Sequence, residues 1–233
     1  MIPDMDLMYD ISEHWIFLAL LAILPVALLF YYIWRKDHNP EPLKTMAVTF
    51  LWGCATVISA LAIQFTVSCP DVIGEYFLVV APSEELGKLA VIWFYIWKHK
   101  DFNDSFDAIV YSVMASLGFA AVENVLYVLE NGWAVGLMRA VSSVPGHAVF
   151  AVFMGYFFGR AKTHFYYGRR RDMAVSLILS YLSAVVVHGT YDSLLTSPQL
   201  FVFFVIFVIA IDVAAFRIIS HASHHDHPMV MDT

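Results

Sequence analysis

Seven stretches of the chain are apolar nearly throughout, and short polar connectors separate them. They run over about residues 15–34, 45–67, 75–97, 105–129, 134–159, 173–195 and 199–219. A helix of about 20 apolar residues crosses the hydrocarbon core of a bilayer, and each stretch reaches that length. The pattern therefore predicts an all-helical, polytopic transmembrane bundle of about seven spans. No connector is long enough for a second core, so residues 1–233 read as a single integral membrane domain.

The third to sixth stretches are interrupted by ionisable residues: Glu84, Glu85, Glu123, His147, His188 and Asp192. An ionisable side chain in hydrocarbon costs at least a few kcal/mol, so such groups face a protein interior or a water-filled cavity. Six of them in consecutive spans predict one shared polar cavity, and with it chemistry or ion transport inside a membrane.

Basic residues give the orientation. Arg35, Lys36 and Lys44 follow the first stretch, Lys98 and Lys100 the third, Arg160, Lys162 and Arg169–Arg171 the fifth, and Arg217 ends the seventh. The alternate connectors, around 68–74, 130–133 and 196–198, hold no Lys or Arg. By the positive-inside rule the N-terminus is expected outside and the C-terminus in the cytoplasm, as an odd number of spans requires. On that orientation Glu84 and Glu85 lie about 13–15 Å below the outer start of their span, Glu123 about 9 Å, His188 about 10–12 Å and Asp192 about 6 Å from outer ends. The polar set clusters in the outer half, and the non-cytoplasmic loops are the expected route for a substrate.

Composition agrees: 60% of the 233 residues are hydrophobic and 14% charged, too little charge for a soluble domain of this length. The formal charge of −7 adds little, because placement matters more than the sum. Cys54 and Cys69 are too far apart along a helix for a disulfide, and no Cys-x-x-Cys motif exists. The acidic N-terminal segment lacks the basic region of a cleaved signal peptide, so the first span is expected to be retained.

Glu84-Glu85-Leu86-Gly87-Lys88 is the most specific local signal. Adjacent carboxylates point about 100° apart on a helix, so only one aims straight at a given cavity. Lys88, one turn below Glu84, is placed to neutralise it. Pro82 and Ser83 would loosen the helix and admit water. The plain structural alternative is a Glu–Lys pair that locks helix packing. Phe119 lies one turn from Glu123, with Gly118, Ala120 and Ala121 allowing close helix approach; the alternative there is a snorkelling glutamate. His188 and Asp192 share one helix face at i and i+4, where the carboxylate can hold the imidazole tautomer, both can ligate a metal, or the pair can simply clasp two helices. His147 follows Pro145-Gly146, an expected kink or local unwinding. Arg139 is placed to pair with Glu130 or Glu123, or to hold a substrate carbonyl. Asp107 and Asp212 read as packing or cap residues, Gly155-x-x-x-Gly159 as close helix packing, and the terminal His221, His224, His225 and His227 receive no role.

At these residues the chain resembles the PrsW family of intramembrane proteases, which is itself similar to the CAAX prenyl endopeptidases and the bacterial abortive-infection membrane proteins. The family's Glu-Glu-x-x-Lys element matches Glu84, Glu85 and Lys88; its Phe-x-x-x-Glu element matches Phe119 and Glu123; its His-x-x-x-Asp element matches His188 and Asp192. His147 is carried over with them. The resemblance covers about residues 75–195. It implies a protease of a multi-pass bacterial or archaeal plasma membrane that cuts a single-span membrane protein, such as an anti-sigma factor, near the extracytoplasmic face. The family is often labelled a metalloprotease, whereas its relatives have been argued to be glutamate proteases. No His-Glu-x-x-His motif is present.

The leading expectation is hydrolysis by glutamate-activated water, with or without zinc. Glu84 or Glu85 would be the base, His147 and His188 would polarise the carbonyl, Asp192 would orient His188, and Glu123 would position water or protonate the leaving amine. With zinc, the ligands would be His147 and His188 with Glu85, Glu123 or Asp192. The lipid bilayer and a membrane-protein substrate are the expected partners, with no nucleic acid. The competing class is a proton- or cation-coupled transporter, against which stands the absence of a repeated half; a scaffold that has lost its chemistry is a third reading.

Overall fold

The computed structural model describes residues 23–37 and 39–224, and these form helices joined by short connectors. Helix α1 is described over residues 23–36, and the start of the first predicted span lies outside the described residues. α2 spans Leu43–Thr66. α3 is one helical run over residues 72–96, in which π-helical turns at Tyr76–Val80 and Ile92–Ile96 flank a regular segment, Ala81–Val91. α4 is Asp107–Asn131, α5 Trp133–Val141, α6 Ser143–Tyr166, α7 Arg170–Leu195, and α8 Phe201–His224 after a single 3-10 turn. Five runs are long and apolar enough to cross a membrane: α2, α4, α5 with α6, α7, and α8 with its leading turn.

α4 is the axis of the bundle. Every residue from Asp107 to Ala120 is buried, as in a helix that is apolar on all sides. α2 packs on one flank of it and α6 on the other, with α7 against α6. Glycines make the two crossings close. A methyl group on Gly118 would overlap the Phe50 carbonyl oxygen of α2, and one on Gly155 would lie 2.6 Å from the Ile109 Cα. The expectation of close packing at Gly155 and Gly159 is met at the α4–α6 contact. The outer surface is apolar in turn: Leu51, Trp52, Ile58 and Phe65 on α2, and Phe201, Phe203, Ile206, Ile209 and Phe216 on α8, are exposed. A bilayer accepts that surface and water does not.

One helix boundary differs from expectation. The fifth predicted stretch is two helices, broken at Ser142 rather than unwound at Pro145-Gly146. Pro145 lies in the first turn of α6, where a missing N–H breaks no intrahelical bond. α4 ends at Gly132, whose φ of 81° only glycine adopts easily, and this turn lets the short α5 fold back across the bundle. At the opposite end of the bundle, burial pushes the Glu41 carboxyl up to about 7.

Candidate active site

The π turn that opens α3 closes with the Ala81 N–H bonded to the Tyr76 carbonyl. One extra residue in that turn rotates everything after it by about 100° relative to an uninterrupted helix, which sets where Glu84, Glu85 and Lys88 point. Helices α2, α4 and α7 run toward one end of the bundle, and α3 and α6 start there. Near that end they bring together Gln64 of α2, Glu84, Glu85 and Lys88 of α3, Phe119 and Glu123 of α4, Arg139 of α5, His147 of α6, and His188 and Asp192 of α7.

The contacts form one chain. Lys88 Nζ donates to Glu85 Oε1 at 2.7 Å and to His147 Nδ1 at 3.1 Å, and lies 4.5 Å from the Phe119 ring centre. An ammonium only donates, so His147 Nδ1 accepts and its ring proton sits on Nε2. That N–H reaches Glu123 Oε2 at 2.8 Å, the same oxygen that meets Arg139 Nη2 at 2.7 Å. On the other side, Glu85 Oε1 also receives His188 Nδ1 at 2.8 Å. His188 Nε2 faces Asp192 Oδ2 at 3.2 Å and Glu84 Oε2 at 3.9 Å. The His188 ring stacks on Phe150, with ring centres 4.6 Å apart and planes at 21°. His147 sits between a cation and a carboxylate, whereas His188 sits among three carboxylates, so the two histidines have different chemistry.

The two adjacent glutamates divide the same way. Glu84, Glu123, Arg139, His147, His188 and Asp192 line a cavity of about 470 Å³ that also takes in Gln64, Tyr127 and Glu130. Glu85 and Lys88 do not line it; they are 0% and 1% exposed and lie behind it. Glu85 is committed to Lys88 and His188. Glu84 Oε1 takes a 3.3 Å hydrogen bond from Gln64, and its buried Oε2 has no hydrogen-bond partner among the described residues.

All six residues expected at the site thus converge. Two details differ. Lys88 pairs with Glu85 rather than neutralising Glu84; both glutamates lie within one turn of it, and Glu85 is the one buried behind the cavity with it. The donors close enough to hold one metal ion are Glu84, His147 and His188, whose ligand atoms lie within 4.8 Å of one another, rather than the two histidines with Glu85, Glu123 or Asp192. Glu85 is turned to the far nitrogen of His188, and Glu123 is held by Arg139 and His147. Of the two partners open to Arg139, the structure selects Glu123. Gln64 was missed, although it is an amide in an otherwise apolar run. The backing ring Phe150 carried no signal, being one aromatic among many.

Two imidazoles and a carboxylate are the donor set of catalytic zinc sites. The carboxylate of Glu85 on His188 Nδ1 is the kind of partner that orients a ligating histidine, so these residues fit a zinc ion once His147 gives up its contact with Lys88 or with Glu123.

Residues 41–215 match the model described as PrsW family intramembrane metalloprotease. The chain is 35% identical over 211 residues to Protease PrsW of Geobacillus kaustophilus, covering 88% of this chain and 92% of that one. It is 36% identical over 178 residues to Protease PrsW of Oceanobacillus iheyensis, covering 75% and 80%, and 29% identical over 185 residues to that of Bacillus subtilis, covering 78% and 83%. No solved structure matches. The match over most of the chain places it: the chain belongs to the PrsW family of intramembrane proteases.

Proposed function

We propose that this protease hydrolyses a peptide bond of a single-span membrane protein, with Glu84 as the carboxylate that takes the proton from the attacking water. The observation that carries this is the unequal placement of the two glutamates. Glu84 lines the cavity, while Glu85 lies behind it and holds both Lys88 and His188 through Oε1. A water between the Glu84 carboxylate and the substrate carbonyl would give its proton to Glu84 as its oxygen bonds to the carbonyl carbon. His188 Nε2–H and Arg139 are the donors that face the cavity and would hold the oxyanion. Glu85 and Asp192 orient His188 from its two nitrogens. When the C–N bond breaks, Glu84 would return its proton to the leaving amine. Glu123, fixed by Arg139 and His147, sets the charge on the opposite wall.

If zinc is bound, Glu84, His147 and His188 would hold it. The ion would then supply an acidified water and polarise the carbonyl. Glu84 then acts as a ligand, and Asp192 and Glu123 are the cavity carboxylates left for proton transfer.

The cavity reaches Gln64, Glu130 and Thr196, at the ends of α2, α4 and α7 that lead into the connectors free of Lys and Arg. With α1 and α3 also crossing, the chain has seven spans, its N-terminus outside, and its cavity open to the extracytoplasmic side of a bacterial plasma membrane. A substrate such as an anti-sigma factor would be cut near that face. A transporter would need a polar track to both faces; here the polar chain is closed off below by Lys88 against the Phe119 ring. The test is cleavage of single-span substrates by purified wild type and Glu84→Gln, each with and without chelator. The reading requires that Glu84→Gln be folded and inactive. A wild type that loses activity with chelator and holds stoichiometric zinc makes Glu84 a ligand, and activity indifferent to chelator makes it the base.

A further inference from the structure

A second buried acidic cluster lies at the opposite end of the bundle. Asp107, where it sits, is about 24 Å along α4 from Glu123. Asp37 and Glu41 come from the α1–α2 connector and Asp107 from the first turn of α4, and one carboxylate oxygen of each lies within 4.8 Å of the others. They are 6%, 5% and 0% exposed, and Asp104, at 2%, stands beside them.

The carboxylates are held in a particular way. Asp107 Oδ2 accepts the N–H groups of Asn103 at 2.9 Å and Asp104 at 2.7 Å, while its buried Oδ1 has no hydrogen-bond partner among the described residues. Asp104 Oδ2 accepts from Asn39 Nδ2 at 3.1 Å, and its Oδ1 is likewise unpartnered and buried. Glu41 Oε2 is bound by the Tyr111 hydroxyl. The Asn39 N–H donates to Asp37 Oδ1 at 2.9 Å. One oxygen of each carboxylate is thus fixed by a donor, and on Asp107 and Asp104 the other is left bare. Among the described residues, no Lys or Arg pairs with Glu41 or Asp107. Two buried carboxylates side by side with no Lys or Arg on either, as Glu41 and Asp107 are, must either share a proton or hold a cation.

We propose that Asp37, Glu41 and Asp107 form a site for a hard divalent cation, of the Ca²⁺, Mg²⁺ or Mn²⁺ class, that pins the α1–α2 connector to the start of α4. All the donors are oxygens, with no His or Cys among them, which selects that class over zinc. The cap and packing role expected for Asp107 holds for its Oδ2, which takes the two backbone N–H groups; its side chain also meets that of Glu41, a carboxylate–carboxylate contact that a cation would bridge.

The probe is Mn²⁺, added to the purified full-length protein in detergent and read by electron paramagnetic resonance, for wild type, Asp107→Asn, Glu41→Gln and the active-site variant Glu84→Gln. Glu84→Gln separates this site from the active-site cavity. Wild type and Glu84→Gln should bind one Mn²⁺ with a dissociation constant below about 1 mM, the weak end of oxygen-ligand sites. Asp107→Asn and Glu41→Gln should each bind at least about tenfold more weakly. Ca²⁺ should raise the unfolding temperature of wild type and not that of Asp107→Asn. If Asp107→Asn does not fold, Glu41→Gln alone decides the matter. Absence of Mn²⁺ binding to wild type at about 1 mM, binding unchanged in the folded cluster variants, or binding lost in Glu84→Gln overturns the proposal.

Discussion

Replacing Glu84 and Glu85, one at a time, by glutamine separates two residues that the sequence leaves equivalent. Glutamine keeps the size of the side chain and removes its charge and basicity. At position 84 the structural loss is small. The side chain gives up no ion pair closer than the 3.9 Å approach to His188, and an amide oxygen can still accept from Gln64. Stability should change by no more than about 1 kcal/mol, the worth of one ordinary hydrogen bond. Cleavage should fall by at least about 10²-fold, the low end for general-base catalysis. At position 85 the balance reverses. The substitution leaves Lys88 charged in a place that is 1% exposed, and takes the carboxylate from His188 Nδ1. Breaking a buried pair by removing one partner costs about 3–5 kcal/mol, so Glu85→Gln should unfold several degrees below wild type. The assay pairs gel-resolved cleavage of a single-span substrate in proteoliposomes with thermal unfolding in the same detergent. A folded Glu84→Gln that cleaves near the wild-type rate refutes the assignment. So does a Glu84→Gln that loses as much stability as Glu85→Gln.

Gln64→Leu should lower cleavage about fivefold, by removing from Glu84 one long, 3.3 Å hydrogen bond worth about 1 kcal/mol, with little change in unfolding temperature. Gly118→Ala should destabilise the bundle by about 1–3 kcal/mol in thermal unfolding, because the new methyl group meets the Phe50 backbone, which has no rotamer to escape into. Ser83→Ala and Cys54→Ala should both retain cleavage in the gel assay. Ser83 donates to the Val80 carbonyl with no histidine beside it, and Cys54 does not line the cavity.

The helical architecture was legible because apolar runs of bilayer length admit few alternatives, and the convergence of the six candidate residues was legible because ionisable groups are rare inside such runs. Azimuth was not. α4 is buried all round from Asp107 to Ala120, so its pattern has no polar face from which a rotation can be read. In α3 the π turn at Tyr76–Val80 shifts the rest of the helix by one residue, which no spacing rule anticipates. Nor does spacing choose between the two glutamates for Lys88, since i−3 and i−4 are both in reach on a helix; the structure pairs it with Glu85. The break at Ser142 was hidden by Pro145-Gly146, a stronger breaker signal three residues away that the helix absorbs in its first turn. The acidic cluster of Asp37, Glu41 and Asp107 was invisible because its members lie on separate segments that only the fold brings together.

The most direct test is mass-spectrometric mapping of the termini produced when purified enzyme in proteoliposomes meets single-span substrates. The account predicts a cut near the extracytoplasmic end of the substrate span, made by wild type and absent with Glu84→Gln. A cut at the cytoplasmic end, or the same cut made by folded Glu84→Gln, would contradict it.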